Sequence, residues 1–449
     1  MEGNIMFKLL GNTHVPHRKN TANMPAVTMP PPKEVLIHVS QHIGAPARVI
    51  VKAGDEVKLG QLIAEADGYV SAPVHASVSG KVLAVESYVV YSGQRVDAVR
   101  IESDGEMTPA DTVVPPAVSD LDSFIEAVRA SGSVGMGGAG FPTAVKLDAI
   151  KKGGIDTIVI NGAECEPYIT ADTRTMLDEC ESIKEGIELF ERFAPDVKTF
   201  VFGIEGNKPE CIKKLKELFA DDGRVQVKAL PSLYPQGAEK VLIHNTTKRI
   251  VPEGGLPADV GVIVLNVSTL AFIAKYVKTG MPLVEKTLTL DGSAVAEPKN
   301  VTVSVGARFG DVIDFCGGLK TEIGKALYGG PMMGACAASL DEPVLKTTNA
   351  ITVMSRADSL GVRESACIHC GRCVAACPHK LDPTKFARAL NVDLKEDRMA
   401  RLEESHVMLC MECGCCSFVC PARRPLVQNN RIAKAELKDY RAHQETLEK

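Results

Sequence analysis

Hydrophobic and polar positions along the 449-residue chain change period several times. An arm over 1–33 is loop-like and ends in Pro30, Pro31 and Pro32. Over 34–105, short alternating runs at 35–39, 48–52, 62–66 and 78–82 are punctuated by glycine and predict a small β domain. From 115 the spacing becomes helical, with Leu121, Phe124, Ile125 and Val128 on one face. Pro142 can open a second helix through Ala144, Val145, Leu147 and Ile150.

Apolar strands near 156–160, 198–202, 224–229 and 261–265 then alternate with helices near 171–193, 207–220 and 237–247, which predicts a parallel α/β sheet over 115–280. Between 281 and 355, two runs at 283–290 and 299–305 read as a β-hairpin, followed by a short helix near 311–316 and a returning strand at 350–354. In the loop 329–334, the methionines read as gap fillers. The last stretch, 356–449, is helical and charged. Its linker 382–405 is expected to bury Phe386, Ala389 and Leu390, and Arg423, Arg424, Arg431, Lys434 and Lys438 in its tail read as a solvated face.

A hydrophobic fraction of 45%, a charged fraction of 24% and a net charge of -5 suit a soluble globular chain and give no reason to expect a nucleic-acid partner. No apolar run approaches the roughly 20 residues of a membrane span, and the first residues lack the apolar stretch of a signal peptide. A cytoplasmic or peripheral protein is expected. Nine of the 14 cysteines fall between 367 and 420, and Cys165, Cys180, Cys211, Cys316 and Cys336 are scattered, which fits a reducing compartment.

The clustered cysteines change the picture most. Cys367, Cys370, Cys373 and Cys377, followed by Pro378, form a C-x2-C-x2-C-x3-C-P run, and Cys410, Cys413, Cys416 and Cys420, followed by Pro421, form another. Bacterial ferredoxins use this spacing to wrap a [4Fe-4S] cluster, with the fourth thiolate going to the other cluster. One cluster then takes Cys367, Cys370, Cys373 and Cys420, and the second takes Cys410, Cys413, Cys416 and Cys377. Zinc knuckles usually pair cysteines at wider separation, and disulfides suit small secreted domains. Cys415 lies off the ligand spacing and is expected to be inert.

A second candidate is the glycine-rich stretch Gly135-Met-Gly137-Gly138-Ala-Gly140-Phe141-Pro142-Thr143. Backbone without Cβ atoms approaches phosphate closely, and the helix start that follows offers free N–H groups. The strand ending at 160 runs into Asn161-Gly-Ala-Glu164-Cys-Glu166-Pro167, placing polar groups where α/β sheets bind ligands. Tyr234, Gly237, Glu239 and Asn266 fall on the same strand edge.

The strands over 34–105 resemble the barrel-sandwich hybrid fold of lipoyl and biotinyl domains. The hairpin tip, 65–71, lacks the carrier lysine of those domains, so a scaffold is expected rather than a swinging carrier. The glycine loop, together with Asn161-Gly-Ala-Glu-Cys-Glu-Pro167, Tyr234-Pro-Gln-Gly-Ala-Glu239 and Asn266-Val-Ser-Thr269, resembles the FMN and NADH site of the flavoprotein component of respiratory complex I. The segment 281–355 resembles the β-grasp (SLBB) domain that follows it there. In this order, ahead of a two-cluster segment, nearly the whole chain resembles the RnfC family, which belongs to the membrane-bound Rnf ferredoxin:NAD+ oxidoreductase that moves Na+ or H+.

The resemblance implies a multidomain α/β chain: a barrel-sandwich hybrid (lipoyl-like) domain, a Rossmann-like flavin domain, an SLBB domain and a helical two-[4Fe-4S] ferredoxin-like domain. It implies that Gly135, Gly137, Gly138, Lys146, Asn161, Glu164, Tyr234, Gly237, Asn266 and Thr269 surround FMN. Phe141, Glu166 and Glu239 would face NAD(H), Phe141 by stacking. Ala163, Ala238 and Leu265 stand where the complex I pattern has Asp, Glu and Asn, which implies a weaker hold on FMN. The implied partners are the other Rnf membrane and peripheral subunits, with ferredoxin reached indirectly, at the cytoplasmic face of the membrane. A stand-alone flavin and iron-sulfur reductase of the same family, serving cobalamin or proline reduction, is the alternative.

Overall fold

A computed structural model describes residues 11–90, 93–361 and 363–447. Residues 1–10 of the expected arm lie outside these. In the β domain a four-stranded sheet runs Glu34–His38, Arg95–Ser103, Gly80–Val89, Glu56–Val57, and faces a three-stranded sheet of Arg48–Val49, Leu62–Glu65 and Val74–His75. Alternation along these strands turns Val35, Ile37, Ile63, Val82, Val99 and Ile101 into one core. This is the barrel-sandwich arrangement, closed by Gly80, where a Cβ would stand 2.0 Å from the carbonyl oxygen of Glu102.

The flavin-type domain is a parallel sheet in the order Val225–Leu230, Thr199–Glu205, Thr157–Gly162, Val262–Asn266. The chain builds outward from Thr157–Gly162 in one direction and then crosses to its other side. That reversal opens a crevice at the carboxyl ends of Thr157–Gly162 and Val262–Asn266. Register pairs Asn161 with Asn266 there, so two asparagines share its lip. Phe124, Phe190, Phe200 and Phe202 fill the core on one face of the sheet, and helix Glu239–Thr247 covers the other with Leu242 and Ile243.

The expected helix over 171–193 is two helices, Ala171–Asp178 and Cys180–Phe193, broken at Glu179. The first is almost wholly buried, and its start is held by Glu164. The second lies along Val267–Thr279 with only its apolar face buried. The linker 382–405 likewise divides into Pro383–Ala389 and Lys395–Glu404; it buries Phe386 and Ala389 fully and Leu390 only in part.

In the β-grasp segment six strands run Val27–Thr28, Lys299–Ser304, Glu285–Asp291, Ala350–Ser355, Ile323–Tyr328, Ala335–Cys336. The first is contributed by the N-terminal arm, pairing in parallel at the sheet edge. The cysteine segment folds as short helices packed on a long one, Leu426–Leu447, around Phe386, Leu402, Val407 and Leu437.

Candidate redox site

The glycine loop reaches the crevice as a tight turn, with Gly135 N–H donating to the carbonyl of Phe141 at 2.9 Å. Its middle is clamped on both sides. Met136 N–H donates to Thr269 Oγ1 at 3.0 Å, and its carbonyl accepts from Lys286 Nζ at 3.0 Å. Lys286 is fully buried, and burial lowers its pKa to about 8. The exposed tip is Gly137, Gly138 and Ala139, with Phe141 half-buried beside it.

Across the crevice, Asn161 Nδ2 donates to the carbonyl of Gly237 at 3.0 Å. Asn266 Oδ1 caps helix Val267–Thr279 by accepting from the N–H groups of Ser268 and Thr269, and its Nδ2 donates to Asp172 at 2.7 Å. Lys146 Nζ donates to Glu239 at 3.0 Å and to the carbonyl of Val264 at 3.1 Å. Gly135, Gly137, Gly138, Lys146, Asn161, Gly237, Glu239, Asn266 and Thr269 thus share one edge of the sheet.

The edge fits a flavin mononucleotide. At Gly138 a Cβ would meet nothing within 4 Å, and at Gly237 and Gly135 it would meet only ordinary contacts at 3.5 and 3.6 Å. Protein packing alone does not require glycine at the last two. Backbone bare of side chains, a helix start and a lysine are the groups that receive a phosphate and a flat ring.

Three expected residues, Glu164, Glu166 and Tyr234, point elsewhere. Glu164, at φ +47°, turns its carboxylate onto the start of helix Ala171–Asp178, accepting from Asp172 N–H at 2.6 Å and Thr173 Oγ1 at 2.5 Å. Glu166 accepts from the N–H groups of Met332 at 3.1 Å and Met333 at 2.7 Å, and burial pushes its pKa up to about 7. The loop 329–334 therefore clamps Glu166 through its backbone, while the Met332 side chain fills space beside Tyr234 and Cys415 as expected. A Cβ on Gly330 would stand 2.3 Å from that carboxylate.

Beneath these carboxylates lies the N-terminal arm. Lys19 Nζ donates to the carbonyls of Glu164, Glu166 and Ile169 at 2.7, 2.8 and 2.6 Å. Burial lowers its pKa, opposed by Glu164. Lys208 Nζ adds a bond to the carbonyl of Ala163 at 2.6 Å and a buried ion pair with Glu205. No periodicity or motif marks Lys19, Lys208 or Lys286, because each acts through one cation meeting distant carbonyls.

The cysteines line two hollows. Cys377, Cys410, Cys413, Cys415 and Cys416 line the inner one with Phe386 and Asn430. Cys367, Cys370, Cys373 and Cys420 surround the outer one with Ile368, Arg388 and Arg424. Each hollow thus contains one of the expected crossed sets, the inner one together with Cys415. Among the described residues no three such side chains converge on one point to hold a single metal ion. A cluster does not need that, since each thiolate takes a different iron. Asn430 Nδ2 donates to Cys410 Sγ at 3.4 Å, and the N–H of Glu412 donates to it at 3.4 Å, the kind of hydrogen bond that tunes cluster sulfur.

Cys415 is buried beside the inner hollow. Its thiol is held protonated by Cys413 and by burial, and it donates to the carbonyl of Tyr234 at 3.8 Å. Tyr234 itself leaves the sheet edge: its hydroxyl donates to the carbonyl of Cys413 at 2.8 Å. The tail is only partly solvated, because Lys434 donates to the carbonyl of Cys410 at 2.7 Å, and Lys434 and Arg431 both pair with Glu412.

A flavin-type crevice joined to two cysteine-lined hollows defines a flavin and iron-sulfur electron-transfer protein. Models of known families match in the same order: an RnfC barrel sandwich hybrid domain at 7–106, the Nuo51 FMN-binding domain at 128–275, an SLBB domain at 287–335 and a 4Fe-4S dicluster domain at 366–423. One component of the proton-translocating ferredoxin:NAD(+) oxidoreductase complex of Clostridium ljungdahlii is 44% identical over 93% of this chain and 91% of its own. Its counterpart in the Na(+)-translocating complex of Acetobacterium woodii is 44% identical over 95% and 96%. The counterpart in the ion-translocating oxidoreductase complex of Rhodobacter capsulatus is 39% identical over 96% and 84%. The chain belongs to the RnfC family, a component of the ion-translocating ferredoxin:NAD+ oxidoreductase complexes. Among the described residues no helix is long and apolar enough to cross a membrane.

Proposed function

We propose that this chain is the NAD(H)-linked electron-transfer subunit of an ion-translocating Rnf complex, peripheral at the cytoplasmic face of the membrane. The RnfC-family relatives are named as members of such complexes and match along nearly the whole chain, barrel-sandwich domain included, which favours this over a stand-alone reductase. Bound FMN exchanges an electron pair with NAD(H) as hydride, and the two [4Fe-4S] clusters carry electrons singly.

The protein's own residues hold, orient and connect. Asn161, Gly237, Asn266, Thr269 and the 135–138 turn form the flavin cradle, and Lys146 places a cation at its rim. Phe141 and Glu239 stand at the open mouth, where a nicotinamide nucleotide enters. Glu166 acts from behind, its carboxylate fixing the 329–334 loop against the flavin-type domain. Cys377, Cys410, Cys413 and Cys416 bind the inner cluster, and Cys367, Cys370, Cys373 and Cys420 the outer one.

The observation that carries this reading is the Tyr234 to Cys413 hydrogen bond, which seats the inner cysteine loop on the flavin edge. The order is then flavin, inner cluster, outer cluster. The test is anaerobic reconstitution with FMN, iron and sulfide, followed by NADH-driven reduction read by visible and EPR spectra. NADH should bleach both clusters. If dithionite bleaches them and NADH does not, the reading is wrong.

A further inference from the structure

The two cysteine hollows differ in what surrounds them. The inner one is more enclosed: Cys413, Cys415 and Cys416 are buried, and the neighbouring cations Arg431 and Lys434 both pair with Glu412 at 3.3 and 2.6 Å. The outer one opens to solvent. Cys370 and His369 are exposed, and Ile368 stands 65% exposed at its rim.

Two arginines line that hollow, and two exposed ones lie next to its lining residues in sequence. Arg388 and Arg424 line the hollow, Arg372 adjoins Cys373, and Arg423 follows Ala422, another lining residue. Among the described residues none of the four has a carboxylate within the 4.0 Å of an ion pair. Asp382 also lines the hollow, but its carboxylate accepts from Thr384 N–H at 2.9 Å and Thr384 Oγ1 at 2.6 Å as a helix cap. In a chain of net charge -5, two guanidinium groups lining one redox hollow and two more on residues beside its lining, against the single carboxylate of Asp382, are a local reversal of sign.

We propose that this face is the docking surface for an acidic one-electron redox protein, with Ile368 as its apolar centre and Arg372, Arg388, Arg423 and Arg424 as its steering ring. The inference rests on the proposed function, in which electrons pass between the inner and outer clusters. An exposed apolar residue ringed by like charges suits a transient protein contact: the ring sets approach and orientation, and the centre excludes water. One electron crosses from the outer cluster to the partner's centre, oxidising the first and reducing the second, or returns by the same path. A phospholipid surface would answer to the same charge but has no use for a redox centre at the contact.

The test uses the full chain loaded with FMN and clusters, reduced by dithionite and mixed in stopped flow with cytochrome b5, an acidic haem protein, or cytochrome c, a basic one. The rate with cytochrome b5 should fall steeply with salt and drop about tenfold in Arg372→Glu/Arg423→Glu, while the rate with cytochrome c rises. Arg372→Gln/Arg423→Gln should lie between, with iron content as in the parent. Salt-independent rates that both variants leave unchanged would overturn the proposal. So would binding to phosphatidylglycerol vesicles that the reversal abolishes without altering the cytochrome b5 rate. If NADH fails to reduce the clusters while the dithionite-reduced protein still discriminates the two haem proteins, the proposed function falls and the docking face stands.

Discussion

The hydroxyl of Tyr234 and the carbonyl of Cys413 meet at 2.8 Å, 179 residues apart in sequence, and this bond ties the flavin-type sheet to the inner cysteine loop. Tyr234 and Cys413 are both buried, and the Glu166 carboxylate lies beside the same hydroxyl. Tyr234→Phe should cost about 1–3 kcal/mol, keep flavin and iron content, and slow NADH-driven bleaching of the clusters relative to bleaching by dithionite. Equal rates with both reductants in the variant and the parent would contradict a coupling role.

Gly237→Ala separates ligand space from protein packing. The added methyl would meet Cys165 Sγ at an ordinary 3.5 Å, so the fold should keep its unfolding midpoint. Flavin affinity should fall about tenfold or more, because the methyl occupies the cradle. Fluorescence titration with FMN reads this directly, and unchanged affinity would remove Gly237 from the site.

Lys19→Met strips three buried carbonyls of their shared donor. The loop carrying Glu164 and Glu166 then relaxes behind the nucleotide mouth. KM for NADH should rise about tenfold, with reduction by dithionite unaffected. An unaltered KM would limit the arm to a structural role.

The crossed cysteine sets predict which double variants are redundant. Cys377→Ser should remove the inner cluster, so adding Cys413→Ser should lose little more iron. Adding Cys367→Ser to Cys377→Ser should remove both clusters. Iron analysis and EPR with the opposite pairing would assign Cys377 to its own loop.

The buried lysines should add to stability as the pH rises from 7. Lys346 Nζ donates to the carbonyls of Pro73 and Gly132 at 2.7 and 2.8 Å, and burial lowers its pKa from 10.5 to about 7. Lys286 is lowered to about 8 in the same way. Between these values and 10.5 the unfolded chain binds more protons than the folded one, so raising the pH favours folding. Lys346→Met should flatten that slope in urea titrations at about pH 7.5 and 9.5, and an identical slope would mean that the amine is already solvated.

Much of this was legible in the sequence because the relevant signals are local. The cysteine spacing, the glycine turn and the strand ending at Asn161 each lie within a dozen residues, and the structure gathers most of the marked positions on one edge. What escaped is long-range. Glu164 reads as a ligand in its motif, yet it folds back at φ +47° to start a helix eight residues on. Lys19, Lys286 and the 329–334 loop work only through residues from other domains, and no pattern within their own stretch foretells those partners. The break at Glu179 has no Pro or Gly to announce it.

The arm is the first described part of the chain to leave the ribosome and among the last that can settle. Gly11 packs where a Cβ would stand 2.1 Å from the carbonyl oxygen of Cys377, Thr13 pairs with Tyr234, and Asn300 Nδ2 donates to the carbonyl of Thr21 across 279 residues. None of those partners exists until most of the chain has been made, and contacts of such separation form late. The arm is therefore a strap that closes only when the flavin-type sheet, the β-grasp sheet and the inner cysteine loop are all in place, and it holds the three in one arrangement.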